Sequence, residues 1–168
     1  MRTSTRTRAP YPRVMFVADW MLANFAALIS TGAWPKFDAT RTVLLEAAPA
    51  APTLQTVALS NAPAGGATIS RFENTIVEVD VTATRAGIVL LNSAWHPWWR
   101  ATVDGNPAPV LKANVLFPAV QVPAGRRRLH FEFEPMAGAL AEITRFGNRF
   151  KLSRRQKATS RVVPGSGS

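Results

Sequence analysis

The strictest constraint in this chain is a period of two. Val77, Val79 and Val81 alternate with Glu78 and Asp80 in TIVEVDVT, and Arg127, Leu129, Phe131 and Phe133 alternate with Arg128, His130, Glu132 and Glu134 in RRRLHFEFEP. Successive side chains of an extended strand point to opposite faces, so each segment makes a strand with one apolar and one polar side. A helix would scatter both sets around its circumference. Each apolar face needs a cover, and in a chain of 168 residues that cover is a second sheet.

The neighbouring segments agree. ATISRFE, from Ala67, is a further strand, and the turn Ala86-Gly87 opens GIVLLNSAW, an uninterrupted apolar run suited to a central strand covered on both faces. Asp104-Gly105 is a hairpin turn signal, and Asp104 is expected to stabilise that turn through local backbone bonds. VLFPAVQVP is a strand whose Pro118 and Pro123 place it at an edge or a bulge. RTVLLE, Arg41 to Glu46, is a short strand upstream. Residues 47–66 are rich in proline, alanine and glycine and read as a surface connection, with one brief strand at Thr56 to Leu59. The expected architecture is mainly β: an antiparallel β-sandwich of about seven short strands with one N-terminal amphipathic helix.

That helix is expected at about residues 20–30, capped by Asp19 and stopped by Gly32, with Leu22, Phe25, Leu28 and Ile29 on one face. The basic start and apolar run around it imitate a signal peptide, but Asp19 interrupts the run, and a carboxylate near the centre of a spanning helix costs about 2.5 to 3.5 kcal/mol. Neither a signal peptide nor a transmembrane helix is expected.

A net charge of +10 suggests nucleic acid until the charges are located. Residues 1–13 form a basic arm with Arg2, Arg6, Arg8 and Arg13, and residues 143–168 form a basic tail with seven cations and no acid. The body, residues 14–142, holds nine basic and ten acidic side chains and is read as a single domain. It has no basic stripe for specific nucleic-acid binding, so the tail is expected to make only weak contacts with anionic surfaces.

Chemistry is sparse. Without cysteine there is no disulfide or thiol nucleophile, and His96 and His130 alone cannot make a multi-histidine metal site. His130, Glu132 and Glu134 share the solvent face of their strand, where such charges are ordinary. No phosphate loop or nucleophile elbow occurs, and no catalytic residue, metal or cofactor is assigned. AWHPWWR stands apart: Trp95, His96, Trp98, Trp99 and Arg100 either pack a strand corner or form an aromatic platform on which a sugar stacks.

Several of these segments also share a family pattern. His96-Pro97-Trp98-Trp99 matches a "YPGW" corner, Val103-Asp104-Gly105 a "VDG" hairpin, Ala113-Asn114-Val115-Leu116-Phe117 with Ala119-Val120 an "AN.LF.AV" strand, and Val122-Pro123-Ala124-Gly125 its "VPAG" continuation. In this order, and with the preceding segments, the chain from about Pro12 to Leu140 resembles the C-terminal extracytoplasmic region of YfhO-like bacterial membrane proteins. That family is similar to polytopic glycosyltransferases that use lipid-linked sugars, and its catalytic loop matches no residue here. The resemblance implies a non-catalytic accessory domain on the extracytoplasmic face of the membrane, contacting a glycan acceptor or the membrane part of the enzyme. A stand-alone carbohydrate-binding module is the alternative, and a binder of nucleic acid or anionic membrane through the basic tail a distant third. Where the family enters a transmembrane helix, this chain reads MAGALAEI and then turns basic, so it is a detached or truncated version of such a protein or a drifted one.

Deleting residues 143–168 is expected to leave the melting temperature nearly unchanged, because the segment has few apolar residues. It should abolish most binding to anionic vesicles and RNA, since residues 1–142 retain a charge of only +3. Loss of folding on deletion would show that the segment docks on the sandwich.

Overall fold

The computed structural model describes residues 11–49 and 64–135. The chain divides into two units after Phe133, and the elements below all belong to the first. In order they are β1 (Val14–Val17), β2 (Asp19–Leu22), α1 (Phe25–Thr31), β3 (Thr42–Leu45), β4 (Gly65–Phe72), β5 (Ile76–Ala83), β6 (Gly87–Leu91), β7 (Trp99–Val103), β8 (Asn106–Ala108), β9 (Val110–Ala113), β10 (Phe117–Val122) and β11 (Gly125–Phe133). A six-stranded sheet runs β1-β6-β10-β9-β3-β2 and a five-stranded sheet β4-β5-β11-β7-β8. Among the described residues only β2 and β3 pair in parallel. Across those residues this is the mainly β, sandwich-like fold, with a helix near its N-terminal end, that the sequence predicts.

The two sheets meet over one core. Val77, Val79 and Val81 of β5, Leu129 and Phe131 of β11 and Trp99 of β7 pack with Val89 and Leu91 of β6 and Val120 and Val122 of β10. Alternation then turns Ile88 and Leu90 of β6 and Ala119 of β10 to the far side of the larger sheet, which in a two-layer sandwich would face solvent. They are buried there too, in a second cluster with Val17, Val43, Leu45 and Ala113.

The larger sheet achieves this by curling. β2 approaches β6 although three strands separate them in the sheet order. Arg85, just ahead of β6, donates to the Asp19 carboxylate at the start of β2 over 2.9 Å. Only Ala18 lies between β1 and β2, so the two edges of the sheet are neighbours in the chain. The parallel β2–β3 pair closes over the inner face, and β6 is buried at all five positions, as its apolar run predicts. Gly87 marks how close β1 lies to the start of β6 within this sheet: a Cβ there would stand 2.5 Å from the Phe16 ring and 2.7 Å from the Val17 carbonyl.

Several expectations are corrected. Asp19 does not cap a helix, and residues 19–22 are strand, because they find a ladder partner in Thr42–Leu45 and Arg85 occupies the Asp19 carboxylate. The helix is shorter and starts at Phe25, capped by Asn24, whose Oδ1 accepts from the Ala27 N–H at 3.0 Å. Gly32 ends it in the left-handed conformation, φ +67°, as expected. Of the four residues assigned to its apolar face, Phe25 and Leu28 are buried against Leu44 of β3, whereas Leu22 and Ile29 are exposed.

The prolines do not force β10 to an edge, and the strand lies between β6 and β9. Its ladder with β6 begins at Ala119, so the missing N–H of Pro118 falls ahead of that ladder, and Pro123 falls after the last strand residue. Val115 and Leu116 belong to the turn before β10, not to the strand. β4 begins at Gly65, inside the segment read as connection, and carries a register shift between Ile69 and Arg71. The Thr56–Leu59 strand, most of the connection, residues 1–10 of the basic arm and the whole tail lie outside the described residues.

Asp104 and Gly105 form the expected β7–β8 hairpin with φ +52° and +81°. The Asp104 carboxylate, however, does not serve its own turn. Its Oδ1 accepts from the Arg128 N–H at 2.8 Å and its Oδ2 from Arg127 at 3.1 Å, which tie the hairpin to β11. These two bonds, the backbone one foremost, hold its pKa below the ordinary 3.8.

Phe131 is fully enclosed, whereas Glu132, its neighbour on the opposite face, has a side chain 47% exposed. Phe131→Ala is therefore expected to cost about 3 to 5 kcal/mol of stability and Glu132→Ala no more than about 0.5 kcal/mol, measured by denaturant unfolding. The reverse order would mean that the register of β11 is flipped.

Candidate functional site

Residues 92–98 carry the chain from the end of β6 in one sheet to the start of β7 in the other. The crossing is pinned at several points. The Ser93 N–H donates to the Leu91 carbonyl, the Trp95 N–H to the Leu116 carbonyl at 2.6 Å and the Trp99 N–H to the His96 carbonyl at 3.2 Å. Because the segment bridges two sheets, its aromatic side chains are distributed to three places.

Trp99 goes to the core. It is buried, its Nε1–H donates to the Ala94 carbonyl at 3.0 Å, and its ring meets Phe131 edge-on at 6.2 Å. His96 and Trp98 stay half-buried at the surface and share Phe133 as a neighbour: the ring centroids lie 4.3 Å apart for His96 and Trp98, 5.6 Å for His96 and Phe133, and 6.3 Å for Trp98 and Phe133. The Trp98 N–H donates to His96 Nδ1 at 3.3 Å, which fixes the imidazole against its neighbour. Arg100 is exposed and donates to the Pro97 and Trp99 carbonyls, so it braces the corner.

Trp95 goes elsewhere. Its ring is half-buried in a cleft of about 560 Å³ lined by Asn92, Ser93, Lys112, Val115 and Leu116 among others. Lys112 Nζ stands 5.2 Å from the Trp95 ring centroid and 5.7 Å from that of Phe25, in cation–π contact with both. Glu46 is 4.0 Å from the same ammonium. The Trp95 indole N–H is the one buried side-chain polar atom among the described residues without a hydrogen-bond partner.

The wall opposite is the β9–β10 turn, where Asn114 and Val115 adopt φ +45° and +71°. Left-handed backbone at a β-branched residue is strained and persists only where the surroundings enforce it. Here Asn114 is clamped to β3: its N–H donates to the Leu44 carbonyl and its Oδ1 accepts from the Leu44 N–H, both at 2.9 Å. Val115 packs against the small cluster of Phe25, Leu28 and Leu44, and Leu116 remains 62% exposed at the lip of the cleft.

The five residues singled out from sequence thus do not form one site. Trp99 is core and Arg100 a brace, Trp98 and His96 make a surface aromatic patch, and Trp95 lines a separate cleft. Phe133, Lys112 and the Asn114–Leu116 turn are not among the site residues that the sequence singles out. An asparagine between two apolar strand segments, VLKA and LFPAV, was the available signal for the turn, since Asn tolerates φ above zero.

A further group of charges lies on the outer face of the smaller sheet, where His130 stands 3.9 Å from Glu78 and 3.7 Å from Glu132, and Arg128 lies 3.5 Å from Asp80. Among the described residues no group of three His, Asp or Glu is placed to hold a metal, and no helix is long and apolar enough to cross a membrane. No family model, curated protein or solved structure matches the chain.

The division of the tryptophans can be checked directly. Trp99→Ala is expected to cost about 3 to 5 kcal/mol in denaturant unfolding, and Trp98→Ala well under half of that, because its ring is already partly in solvent. Equal costs would mean that Trp98 also belongs to the core.

Proposed function

We propose that the chain is a non-catalytic recognition domain that contacts a glycan, working on the extracytoplasmic face of the membrane within a YfhO-like glycosyltransferase system. The observation that carries this reading is the crossing segment: within four residues it presents Trp95 to a cleft and His96 and Trp98 to the surface, on a backbone tied to both sheets. Sugars offer apolar C–H faces edged by hydroxyls, and the complement is an aromatic ring with hydrogen-bonding groups beside it. Trp95 has Asn92 and Ser93 as neighbours in its cleft, and Trp98 has His96. A rigid mount matters because ordering a loose loop would consume binding free energy.

The distribution of carboxylates supports a binding rather than a catalytic role. Glu78, Asp80 and Glu132 lie on an open sheet face beside His130 or Arg128 and not within a cleft that could enclose a reacting group. The resemblance of the sequence motifs to those of YfhO-like proteins is what supports the membrane setting and the partner enzyme in this reading.

The test is an oligosaccharide array with the full chain, followed by titration of the best ligands. Wild-type protein is expected to retain at least one glycan class. Trp98→Ala or Trp95→Phe should weaken that binding, while Glu132→Ala, on the opposite sheet face, should not. Retention of no glycan by the folded protein would overturn the proposal.

A further inference from the structure

We infer that the protein lays the apolar face around α1 on the surface of an anionic phospholipid bilayer; this goes beyond the glycan reading above and does not depend on it. The first observation is where the exposed apolar side chains lie. Seven large ones are exposed among the described residues, and five of them, Met21, Leu22, Ile29, Trp34 and Leu116, adjoin the small cluster that α1 makes with β3. Met21 is the ladder partner of Leu44, the β3 member of that cluster, and so points to the same face of the sheet. Leu22 precedes Ala23, Ile29 follows Leu28, Leu116 follows Val115 and Trp34 stands three residues ahead of Phe37, and each of these neighbours belongs to the cluster or packs against it. Single exposed apolar side chains are ordinary, but five around one cluster make a patch of the kind that marks a contact with a protein or a membrane.

The second observation is the type of side chain and what flanks it. Ile29 is 65% exposed and Trp34 50%. Tryptophan is on average a well-buried residue, and its amphipathic ring is among those favoured at the level of lipid headgroups. Trp34 sits just beyond Gly32, which ends the helix, and Lys36 is exposed two residues later, with a stem long enough to lie along apolar surface while its ammonium stays among headgroups. The nearby carboxylates are engaged within the chain: Asp38 accepts from the Thr40 N–H at 2.9 Å and from its hydroxyl at 2.6 Å, and Glu46 lies 4.0 Å from Lys112.

The third is charge, which decides among occupants. At +10 two copies of the chain repel one another, which disfavours burying this face against a second copy. An anionic bilayer attracts the chain instead. Residues 1–13 contribute four arginines and residues 143–168 seven cations, and their attraction to a charged surface needs no fixed geometry. A small apolar anchor alone binds a bilayer only marginally, and a polybasic segment is the second signal that makes the contact stable.

The experiment uses the full chain with vesicles of phosphatidylglycerol and phosphatidylcholine in equal parts, and with pure phosphatidylcholine, at about 0.15 M salt. Binding is read by co-sedimentation, and insertion by quenching of tryptophan emission with bromine-labelled acyl chains. The anionic vesicles are expected to bind the protein and to quench it, and the quenching should be largely lost in Trp34→Phe, which keeps an apolar ring but removes the reporter. The double variant Ile29→Ser with Trp34→Ser should weaken partitioning by about tenfold or more, with an unchanged melting temperature because both side chains are exposed, while Tyr11→Ser, exposed elsewhere, should not. Quenching that persists in Trp34→Phe, or binding untouched by the double variant, would show that the chain adsorbs by its charges or another face and would overturn the inference. So would absence of vesicle binding, and in that case sedimentation equilibrium of wild type and double variant tells whether the face joins two copies. The glycan array result is independent, so either reading can fail while the other stands.

Discussion

The whole architecture depends on the burial of β6 and β10 from both sides. A sheet faced by a single partner sheet can afford alternation, and β5 and β11 show it, but Gly87–Leu91 has no polar position at which to meet water. Something must therefore cover the inner face of Ile88, Leu90 and Ala119, and no third sheet exists among the described residues. The chain meets the demand by rolling its larger sheet until β2 and β3 lie across that face. Ala113 and Ala119 leave room for the tight curl, and Gly87 lets Phe16 and the Val17 carbonyl come close to β6. The link between β3 and β9 is fastened by the Glu46 N–H, which donates to the Lys112 carbonyl at 3.2 Å, and by the two Asn114–Leu44 bonds. The strained turn that walls the Trp95 cleft is thus part of what holds the sheet closed.

Local pattern made most of the sandwich legible in the sequence. Val77, Val79 and Val81 read as one face and are one face, Leu129 and Phe131 are core as their alternation implies, and the Asp104-Gly105 hairpin sits where its turn residues place it. Long-range pairing was not legible. Trp20, Met21 and Leu22 would suit a helix as well as a strand, and only the distant segment Thr42–Leu45 decides for strand. The edge or bulge expected for β10 failed for a similar reason: proline is excluded only where a ladder needs its N–H, and register, which no local signal carries, decides where that is.

The candidate site was half legible. The density of aromatic residues in AWHPWWR marked the right segment, but composition cannot tell which ring goes to the core. That division follows from the segment passing between two sheets, which sends Trp99 inward against Phe131 while Trp95 and Trp98 leave in other directions. Lys112 was invisible because it sits on a strand flanked by apolar residues and becomes a neighbour of Trp95 only through the folding of β9 beside the crossing segment.

The manner in which the strands end has a consequence for life at high concentration. An exposed sheet edge is a template for strands of other molecules and a route to aggregation. In the larger sheet the outer strands β1 and β2 are consecutive in the chain, with Ala18 alone between them. In the smaller sheet β8 is three residues long and contains Pro107, which has no N–H to offer an incoming strand. The other edge, β4, is longer, but its register shift at Ile69 and Arg71 kinks the ladder and Arg71 places a charge there, paired with Glu73 and Glu78. The proline in β8 and the kinked, charged ladder of β4 therefore work against stacking of the smaller sheet edge to edge with its own copies.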